Sequence, residues 1–326
     1  MKTKVFSLVI LLIAFTGISQ VFGQEKREPK FKKQKSYTKS YSVSSADRIT
    51  LENQFGEMKL ITWEKNEVKV DVSITGSSDD ETRAQQIIDR ISIEDGKTGG
   101  GVNFKTKMAN QAKDWNRNQK DKHINESMKI NYTVYLPSRN PLTAKNQFGA
   151  LIVPDYRGEA TLESQFGSLT TGKITNAKNI KVAFGKAALE QVNNGKVDIQ
   201  YSTGSINKLV GDVDLKVSFS NAVKVNVDND IKSLDINNSY STLYLDVSRN
   251  LSASYDISTS YGSFKNQSSF KIDGDDGKKP SYTTTKYSGT SGSGSNRLNV
   301  RSSFGTVVVG HDLKVDTSGK KKSATI

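Results

Sequence analysis

The chain of 326 residues contains no cysteine and only two histidines, His123 and His311. The absence of cysteine excludes a disulfide framework, and the two histidines lie far apart in predicted loops. The composition therefore excludes His/Cys metal centres and argues against a Ser-His-Asp triad. No phosphate-binding glycine loop is present, and the acidic run at residues 273–276 lacks the ligand spacing of a calcium loop. We predict no cofactor and no metal site.

Long hydrophobic runs are also absent after the N-terminus. Lys2 and Lys4 precede an apolar stretch at residues 5–15, and Val21-Phe22-Gly23 follows it. This order predicts a secretory signal that is cleaved near Gly23. The apolar stretch is shorter than the ~20 residues of a membrane-spanning helix. We therefore expect an exported protein of the periplasm or cell surface, with no transmembrane segment.

Positive charge is in excess, with a formal net charge of +13. Part of this excess lies between residues 24 and 45, where lysine and arginine greatly outnumber glutamate. We predict a flexible basic linker there. Elsewhere bases and acids are interleaved, and the chain is expected to be exported, so a nucleic-acid partner is not expected.

The most regular feature is an aromatic residue that recurs where short alternating segments end. From Phe148 onward the intervals are 18, 18, 17, 18, 21, 21 and 43 residues, the last being about two periods. A fixed period near 20 residues with strand signals is typical of β-solenoids. The nine aromatic residues are Phe55, Phe148, Phe166, Phe184, Tyr201, Phe219, Tyr240, Tyr261 and Phe304.

Each copy changes phase at its aromatic residue. Leu162, Ser164 and Phe166 share one face of a strand, whereas Leu169 is out of phase with them. We expect the chain to bend at Gly167, because glycine tolerates a positive φ, and the aromatic rings to stack inside on one corner. Polar residues on the same face are expected to form inward hydrogen-bonded ladders: Asn53, Asn146, Ser164, Asn238, Thr259 and Ser302.

An outward row of charges supports this register. Three residues before the aromatic position, the sign alternates along successive copies, at Glu52, Lys145, Glu163, Lys181, Asp198 and Lys216. Parallel stacked strands would place equivalent residues roughly 4.8 Å apart, so each charge would have neighbours of opposite sign. The residue directly before the aromatic is usually glutamine or serine, which predicts a second polar row.

The pattern predicts an all-β fold, a right-handed parallel β-helix with coils of about 18–21 residues. The signal peptide occupies residues 1–23 and the basic segment 24–45. Residues 46–141 hold the first coil and a small α+β N-terminal cap, with a mobile loop at 105–123. The solenoid occupies 142–313, with an irregular insertion at 274–296, and 314–326 form a flexible tail.

These motifs resemble the DUF4097 "putative adhesin" family of bacterial envelope proteins. The resemblance runs from about Ala46 to Gly310 and rests on Leu136-Pro137, on the Gln-Phe-Gly units at 147–149 and 165–167, and on the closing segments 288–294 and 302–305. It implies a right-handed β-helix and an adhesin role, with no catalytic residues to carry over. This chain departs from many members by having phenylalanine or tyrosine before the glycine.

Two classes of function remain open. A non-catalytic scaffold for adhesion or interaction with envelope components is favoured, because the alternating charges neutralise each other instead of concentrating. The alternative is a carbohydrate-active enzyme, a lyase or glycosidase on a β-helix, which needs clustered carboxylates or bases. For the scaffold we predict an envelope glycan or protein as partner. The predicted contact is a basic loop with an exposed tryptophan: Lys113, Trp115 and Arg117.

Overall fold

A computed structural model describes residues 27–109, 125–274 and 284–317. Within these residues the chain forms 23 strands and one short helix, joined in one large mixed sheet. In the same ranges no helix is long and apolar enough to cross a membrane.

The N-terminal part combines antiparallel strands with the helix. Its elements are β1 (Phe31–Ser42), β2 (Arg48–Gln54), β3 (Met58–Trp63), β4 (Glu67–Ser78), α1 (Glu81–Asp89), β5 (Ile91–Thr98), β6 (Gly101–Met108) and β7 (Glu126–Pro137). Strand β4 pairs antiparallel with β1 and β7, whereas β6 and β7 pair parallel with β2 and β3. Asp80 caps α1 by accepting a hydrogen bond from the backbone N–H of Arg83. The antiparallel strands therefore join directly onto the first repeat.

The middle of the chain consists of parallel strands. These are β8 (Leu142–Gln147), β9 (Ala150–Val153), β10 (Tyr156–Gln165), β11 (Ser168–Ala183), β12 (Lys186–Gln200), β13 (Thr203–Ile206), β14 (Leu209–Ser218), β15 (Val223–Val227), β16 (Ile231–Ser239), β17 (Thr242–Val247), β18 (Ala253–Ser260) and β19 (Ser263–Gln267). Leu162 lies beside Ala144 on one side and Ile180 on the other. The predicted parallel pairing of each copy with the next is confirmed here.

The strands form two parallel rows that meet at the aromatic positions. One row holds the segments that end at an aromatic residue, such as β8, β10 and β14. The other holds the segments that begin just after it, such as β9, β13 and β15. Inward residues of both rows are mainly leucine, isoleucine and valine, which build one continuous core.

The last repeat does not lie at the end of the rows. After β20 (Ile272–Gly274) and β21 (Thr284–Ser291), strand β22 (Asn296–Ser303) lies between β16 and β18, and β23 (Thr306–Gly310) lies between β17 and β19. Strand β21 pairs antiparallel with β18 and thereby occupies its other edge. The remaining edge of β18 faces β16 across a space one strand wide, which β22 fills. Chain order alone suggested that the copy ending at Phe304 would follow the copy ending at Tyr261.

The predicted inward polar positions are confirmed. All six are at most 3% exposed. The Nδ2 group of Asn53 donates to Oδ1 of Asn146 at 3.0 Å, and Nδ2 of Asn238 donates to Oγ of Ser302 at 2.9 Å. These bonds offset part of the cost of burying the amides. Ser164 Oγ and Asn238 Oδ1 are buried without a hydrogen-bond partner among the described residues, so the expected hydrogen-bonded ladder is not continuous.

The prediction of a flexible linker at residues 24–45 is wrong for most of its length. Residues 31–42 form β1, which pairs with β4 along its whole length. The hydroxyl of Tyr37 donates to Asp95 Oδ1 at 2.6 Å, and Tyr41 donates to the other carboxylate oxygen. A strand whose two faces both carry lysines has little apolar periodicity, so its charge pattern alone suggested a linker.

Three other predicted segments differ in the structure. Lys105 and Lys107, which were expected in a mobile loop, lie in β6, where their Nζ atoms are 2.6 Å from Glu52 and 3.0 Å from Glu94. Part of the expected irregular insertion forms β21. In the expected C-terminal tail, the carbonyl of Thr317 accepts a hydrogen bond from the Thr203 hydroxyl at 3.0 Å.

Candidate functional site

The recurring aromatic residues form an exposed row, and the prediction that they lie inside is wrong. Phe148, Phe166, Phe184, Tyr201, Phe219, Tyr240, Tyr261 and Phe304 are 47–62% exposed. Their side chains leave the core at the corner where the two strand rows meet. We call these eight residues together with Phe55 the aromatic ridge.

The cause is the backbone conformation of the aromatic residue itself. All nine have a φ between 49° and 62°, in the left-handed region. One left-handed residue interrupts the alternation of faces, so Ser164 points inward and the ring of Phe166 points outward. Leu169 then resumes the inward face. The phase change is therefore located as predicted, but it arises at the aromatic residue and not through a positive φ at Gly167.

Glycine follows the aromatic residue for a different reason. A Cβ at Gly149 would lie 2.0 Å from the carbonyl oxygen of Gly56, and a Cβ at Gly167 would lie 1.9 Å from that of Gly149. Successive repeats approach too closely there for a side chain.

In three repeats a serine, and not a glycine, follows the aromatic residue at this close contact between repeats: Ser202, Ser220 and Ser241. The hydroxyl of Ser220 accepts a hydrogen bond from the backbone N–H of Ser202 at 3.1 Å, and Ser241 accepts from the N–H of Ser220 at 2.9 Å. Glycine and serine thus alternate in blocks along the corner. Both keep the repeats in contact, and the serine block adds hydrogen bonds between repeats.

The rings of the ridge stack on each other without interruption. Adjacent ring centroids are 4.7–5.0 Å apart and adjacent ring planes differ by 3–8°. In space the order is Phe55, Phe148, Phe166, Phe184, Tyr201, Phe219, Tyr240, Phe304 and Tyr261. Eight steps at the strand spacing make the ridge about 40 Å long.

Stacking decides what the ridge can present to a partner. Each internal ring has both faces covered by its neighbours, so its outer edge is what meets solvent. A side chain of about 200 Å² that is half exposed offers about 100 Å², and eight such rings offer roughly 800 Å². This apolar strip is larger than the ~300–600 Å² that is the largest patch on a typical monomer.

The residues beside the ridge are mostly polar and uncharged. Gln147, Gln165 and Ser239 immediately precede rings, and Thr203 and Thr242 begin the strands that follow them. Shallow depressions of about 380 and 400 Å³ are lined by the rings and by the residues that follow them, including Thr242 and Thr203. An apolar strip with hydrogen-bonding borders is suited to contact with another surface.

The outward charged row runs next to the ridge. Glu163 lies beside Lys145 and Lys181, and Lys181 lies beside Asp198, which confirms the predicted neighbours. The Nζ atom of Lys145 is 3.8 Å from the Glu163 carboxylate. Continuing along the same row, Lys216 is followed by Asn237, Arg301 and Ser258.

Within residues 27–109, 125–274 and 284–317, the acids whose pKa departs from its ordinary value are shifted downward. Hydrogen bonds from Arg48 and Lys178 lower the pKa of Glu159. A hydrogen bond from Asn299 and the charge of Arg297 lower the pKa of Asp235. These carboxylates are therefore held in their ionised form.

The predicted contact residues Lys113, Trp115 and Arg117 lie outside the described residues, so their role stays a prediction. In the described ranges, no three histidine, cysteine, aspartate or glutamate residues are grouped so that they could hold a metal ion.

Comparisons with known proteins give only distant similarities. No protein-family model and no curated protein matches the chain. A structure called a "putative cell adhesion protein" from Clostridium sporogenes is 13% identical, with a TM-score of 0.27, covering 86% of this chain and 100% of the other. A "putative adhesin" from Bacteroides fragilis is 12% identical, with a TM-score of 0.37, covering 84% and 97%.

A third solved structure is described as a "putative lipid binding protein" from Parabacteroides distasonis. It is 10% identical, with a TM-score of 0.30, and the match covers 84% of this chain and 96% of the other. At TM-scores of 0.27–0.37, these similarities do not show that this chain shares a function with any of the three proteins.

Proposed function

We propose that the chain is a non-catalytic scaffold of the bacterial cell envelope, which acts in adhesion or in contacts with envelope components. The aromatic ridge is the observation that carries this proposal. An apolar strip of roughly 800 Å² exceeds what monomers usually leave uncovered, and such strips mark interaction surfaces. The scaffold that presents it is proposed to be a right-handed β-solenoid of the DUF4097 kind.

The solenoid is supported by the repeated parallel register. Leu162, Ile180 and Val197 are neighbours in one row, and Leu169 and Ala187 are neighbours in the other. From β8 to β16, each step along a row thus corresponds to one sequence repeat. A chain that returns to both rows once per repeat winds as a coil.

Backbone strain also points to the ridge as a functional feature. Large aromatic side chains rarely adopt left-handed backbone conformations, and non-glycine residues there cost on the order of 1–3 kcal/mol each. The chain nevertheless places an aromatic residue at this position nine times. Stacking between rings offsets part of the strain, and contact with a partner would offset more.

The rival function is a carbohydrate-active enzyme, a polysaccharide lyase or a glycosidase on a β-helix. A glycosidase needs one carboxyl group whose pKa is raised so that it can donate a proton. Among the described residues, the shifted acids Glu159, Asp235 and Asp95 have lowered pKa values. The charged row alternates in sign. Outside that row Asp214 and Asp235 lie on adjacent repeats, where Lys196 lies beside Asp214 and Arg297 pairs with Asp235.

The proposal is tested by incubating the exported chain with envelope material, then measuring retention and soluble saccharide products. We expect retention without release of saccharide. A Phe184→Ser/Tyr201→Ser variant should be retained less than a Phe31→Ser variant, whose aromatic residue is exposed but lies outside the ridge. Time-dependent release of oligosaccharides would establish the enzyme instead, and absence of retention would reject the envelope scaffold.

The basic loop remains a second proposed contact for anionic envelope material. We expect Lys113→Ala/Trp115→Ala/Arg117→Ala to weaken retention and to leave the melting temperature nearly unchanged, because tryptophan and arginine concentrate binding energy at interfaces. Lys271→Ala, an exposed lysine elsewhere, is the matched control. Unaltered retention would remove the loop from the proposal, whereas a large fall in melting temperature would show that Trp115 is part of the core.

Export is the remaining part of the proposal. Mass spectrometry of the envelope fraction should detect a mature N-terminus close to Gln24. Detection of only the uncleaved chain in the cytoplasm would contradict an envelope role.

A further inference from the structure

We infer that the aromatic ridge is a self-association surface, on which a second copy of this chain packs in the antiparallel direction. This inference rests on the proposed scaffold function and names the partner at the ridge. It is argued from the area of the ridge, its even spacing and the charges beside it.

The area of the ridge fits a stable interface between two proteins. Its eight exposed rings offer roughly 800 Å², which is about what each partner contributes to an interface of standard size. Aromatic residues are also enriched at the centres of such interfaces. Flanking glutamine, serine and threonine residues supply an uncharged border.

The even spacing makes the ridge complementary to itself. Rings recur every 4.7–5.0 Å along its length. A twofold axis perpendicular to the ridge therefore places rings of one copy against rings of the other at a common step. With the axis between Phe184 and Tyr201, eight of the nine rings overlap: Phe55 with Phe304, Phe148 with Tyr240, Phe166 with Phe219, and Phe184 with Tyr201, each taken twice.

The charged row selects this arrangement. With the same axis, Lys181 is opposite Asp198 of the second copy and Glu163 is opposite Lys216. The remaining positions follow the same rule, pairing Glu52 with Arg301, Lys145 with Asn237, and Lys105 with Ser258. No like charges oppose each other. A shift by one repeat in the position of the second copy would oppose lysine to lysine, so the row specifies both direction and register.

Other occupants fit the ridge less well. A sugar ring that stacks on an aromatic face finds the faces of the internal rings covered by their neighbours. Beside the ridge an anionic membrane would meet Glu52, Glu163 and Asp198 between the bases, so the row is not the single-sign basic cluster that such membranes attract. The C-terminal segment is another candidate occupant, because the carbonyl of Thr317 lies at Thr203 beside the ridge. Its sequence beyond Thr317 is SGKKKSATI, in which only Ala324 and Ile326 are apolar, so it offers little apolar surface to cover the rings.

Sedimentation velocity of the exported chain over a range of concentrations tests the association. We expect a dimer, and we expect Phe184→Ser/Tyr201→Ser to weaken association at least about a hundredfold, because central aromatic residues dominate interface energy. Phe31→Ser should associate as the unaltered chain does. Urea unfolding of each variant is the control, and a cooperative unfolding transition would show that the variant is folded. An unaltered chain that is monomeric at all concentrations overturns the inference.

The direction of packing is tested independently, because the chain has no cysteine of its own. With a bifunctional maleimide reagent, a mixture of Phe148→Cys and Tyr240→Cys chains should form a cross-linked heterodimer, since the two positions oppose each other across the axis. The reagent spans the gap that the neighbouring rings keep between the two backbones, which is too wide for a disulfide. Neither variant alone should cross-link. A Phe148→Cys homodimer would indicate parallel packing and overturn the arrangement.

The two proposals fail in different ways. If the chain is monomeric and forms no mixed cross-link, but ridge variants lose retention on envelope material, the ridge contacts the envelope itself. The self-association is then rejected and the scaffold function stands.

Discussion

Replacement of Phe166 by alanine and by glycine tests the unusual backbone at the ridge. The side chain is 49% exposed, so about 100 Å² of a ring of about 200 Å² is buried, worth roughly 2.5 kcal/mol. Its centroid lies 5.0 Å from that of Phe148 and 4.9 Å from that of Phe184. These two stacked contacts add about 0.5–1.5 kcal/mol each.

Alanine and glycine remove the same ring but differ in backbone strain. At a φ of 53°, alanine keeps the left-handed strain, whereas glycine adopts this conformation freely. We therefore expect Phe166→Ala to lower the free energy of unfolding by about 3–5 kcal/mol, and Phe166→Gly to lower it by about 1 kcal/mol less. In an ordinary strand the order is reversed, because glycine costs roughly 0.5–1 kcal/mol more than alanine.

Equilibrium urea unfolding followed by circular dichroism measures both values, in dilute protein so that association does not contribute. Phe104→Ala, at a fully buried position in β6 with ordinary backbone geometry, is the control and should cost about 3–5 kcal/mol. A larger loss for Phe166→Gly than for Phe166→Ala would refute the left-handed conformation on which the ridge depends.

Three further predictions concern the contacts between repeats and the N-terminal strands. Gly167→Ala should prevent close approach of neighbouring repeats and lower the melting temperature strongly, whereas Gly99→Ala, where a Cβ meets nothing within 4 Å, should leave it nearly unchanged. Lys181→Glu should lower the free energy of unfolding more than Lys181→Gln, because it places like charges on adjacent repeats; equal losses in urea titrations would contradict the charged row. Burial acts to raise the pKa of Asp95, but hydrogen bonds from Tyr37 and Tyr41 outweigh this effect and lower that pKa. The ionised carboxylate therefore stabilises the fold above its unfolded pKa of about 4. This stabilisation is lost as the pH falls through the lower folded pKa. Tyr37→Phe should therefore destabilise the protein at neutral pH and less so in acid, and a cost that is constant with pH would argue against an ionised acceptor.

The repeat and its register could be predicted from the sequence because they depend on local alternation. Leu162 and Ser164 show the inward face, Leu169 shows the change of phase, and the alternating signs at Glu163 and Lys181 show which copies are neighbours. These features recur in each copy, so they identify the parallel pairing without knowledge of long-range contacts.

The direction of the rings could not be predicted by the same rule. Extending the alternation by two residues from Ser164 places Phe166 inside, and hydrophobicity favours the same conclusion. The left-handed backbone reverses this, and nothing in the alternation itself shows whether the aromatic residue or Gly167 takes the positive φ. The spacing of Ser164 and Leu169 did contain a signal. Both residues point inward, and strict alternation would place an odd number of residues between them, whereas four are present, so one residue in this segment must interrupt the alternation.

The position of the last repeat also could not be predicted from the sequence. The 43-residue interval between Tyr261 and Phe304 resembles two periods, but it contains β20 and β21, which turn back beside β18. Which edge β22 then occupies depends on the edge that β21 leaves free. This is a long-range choice that periodicity does not encode.

A crystal structure of the exported chain tests the ridge most directly. We expect nine stacked rings at the corner, directed outward from the core toward solvent or a second copy, with Phe304 between Tyr240 and Tyr261. Rings that point into the core, or a ring of Tyr261 that stacks directly on Tyr240, would contradict this expectation.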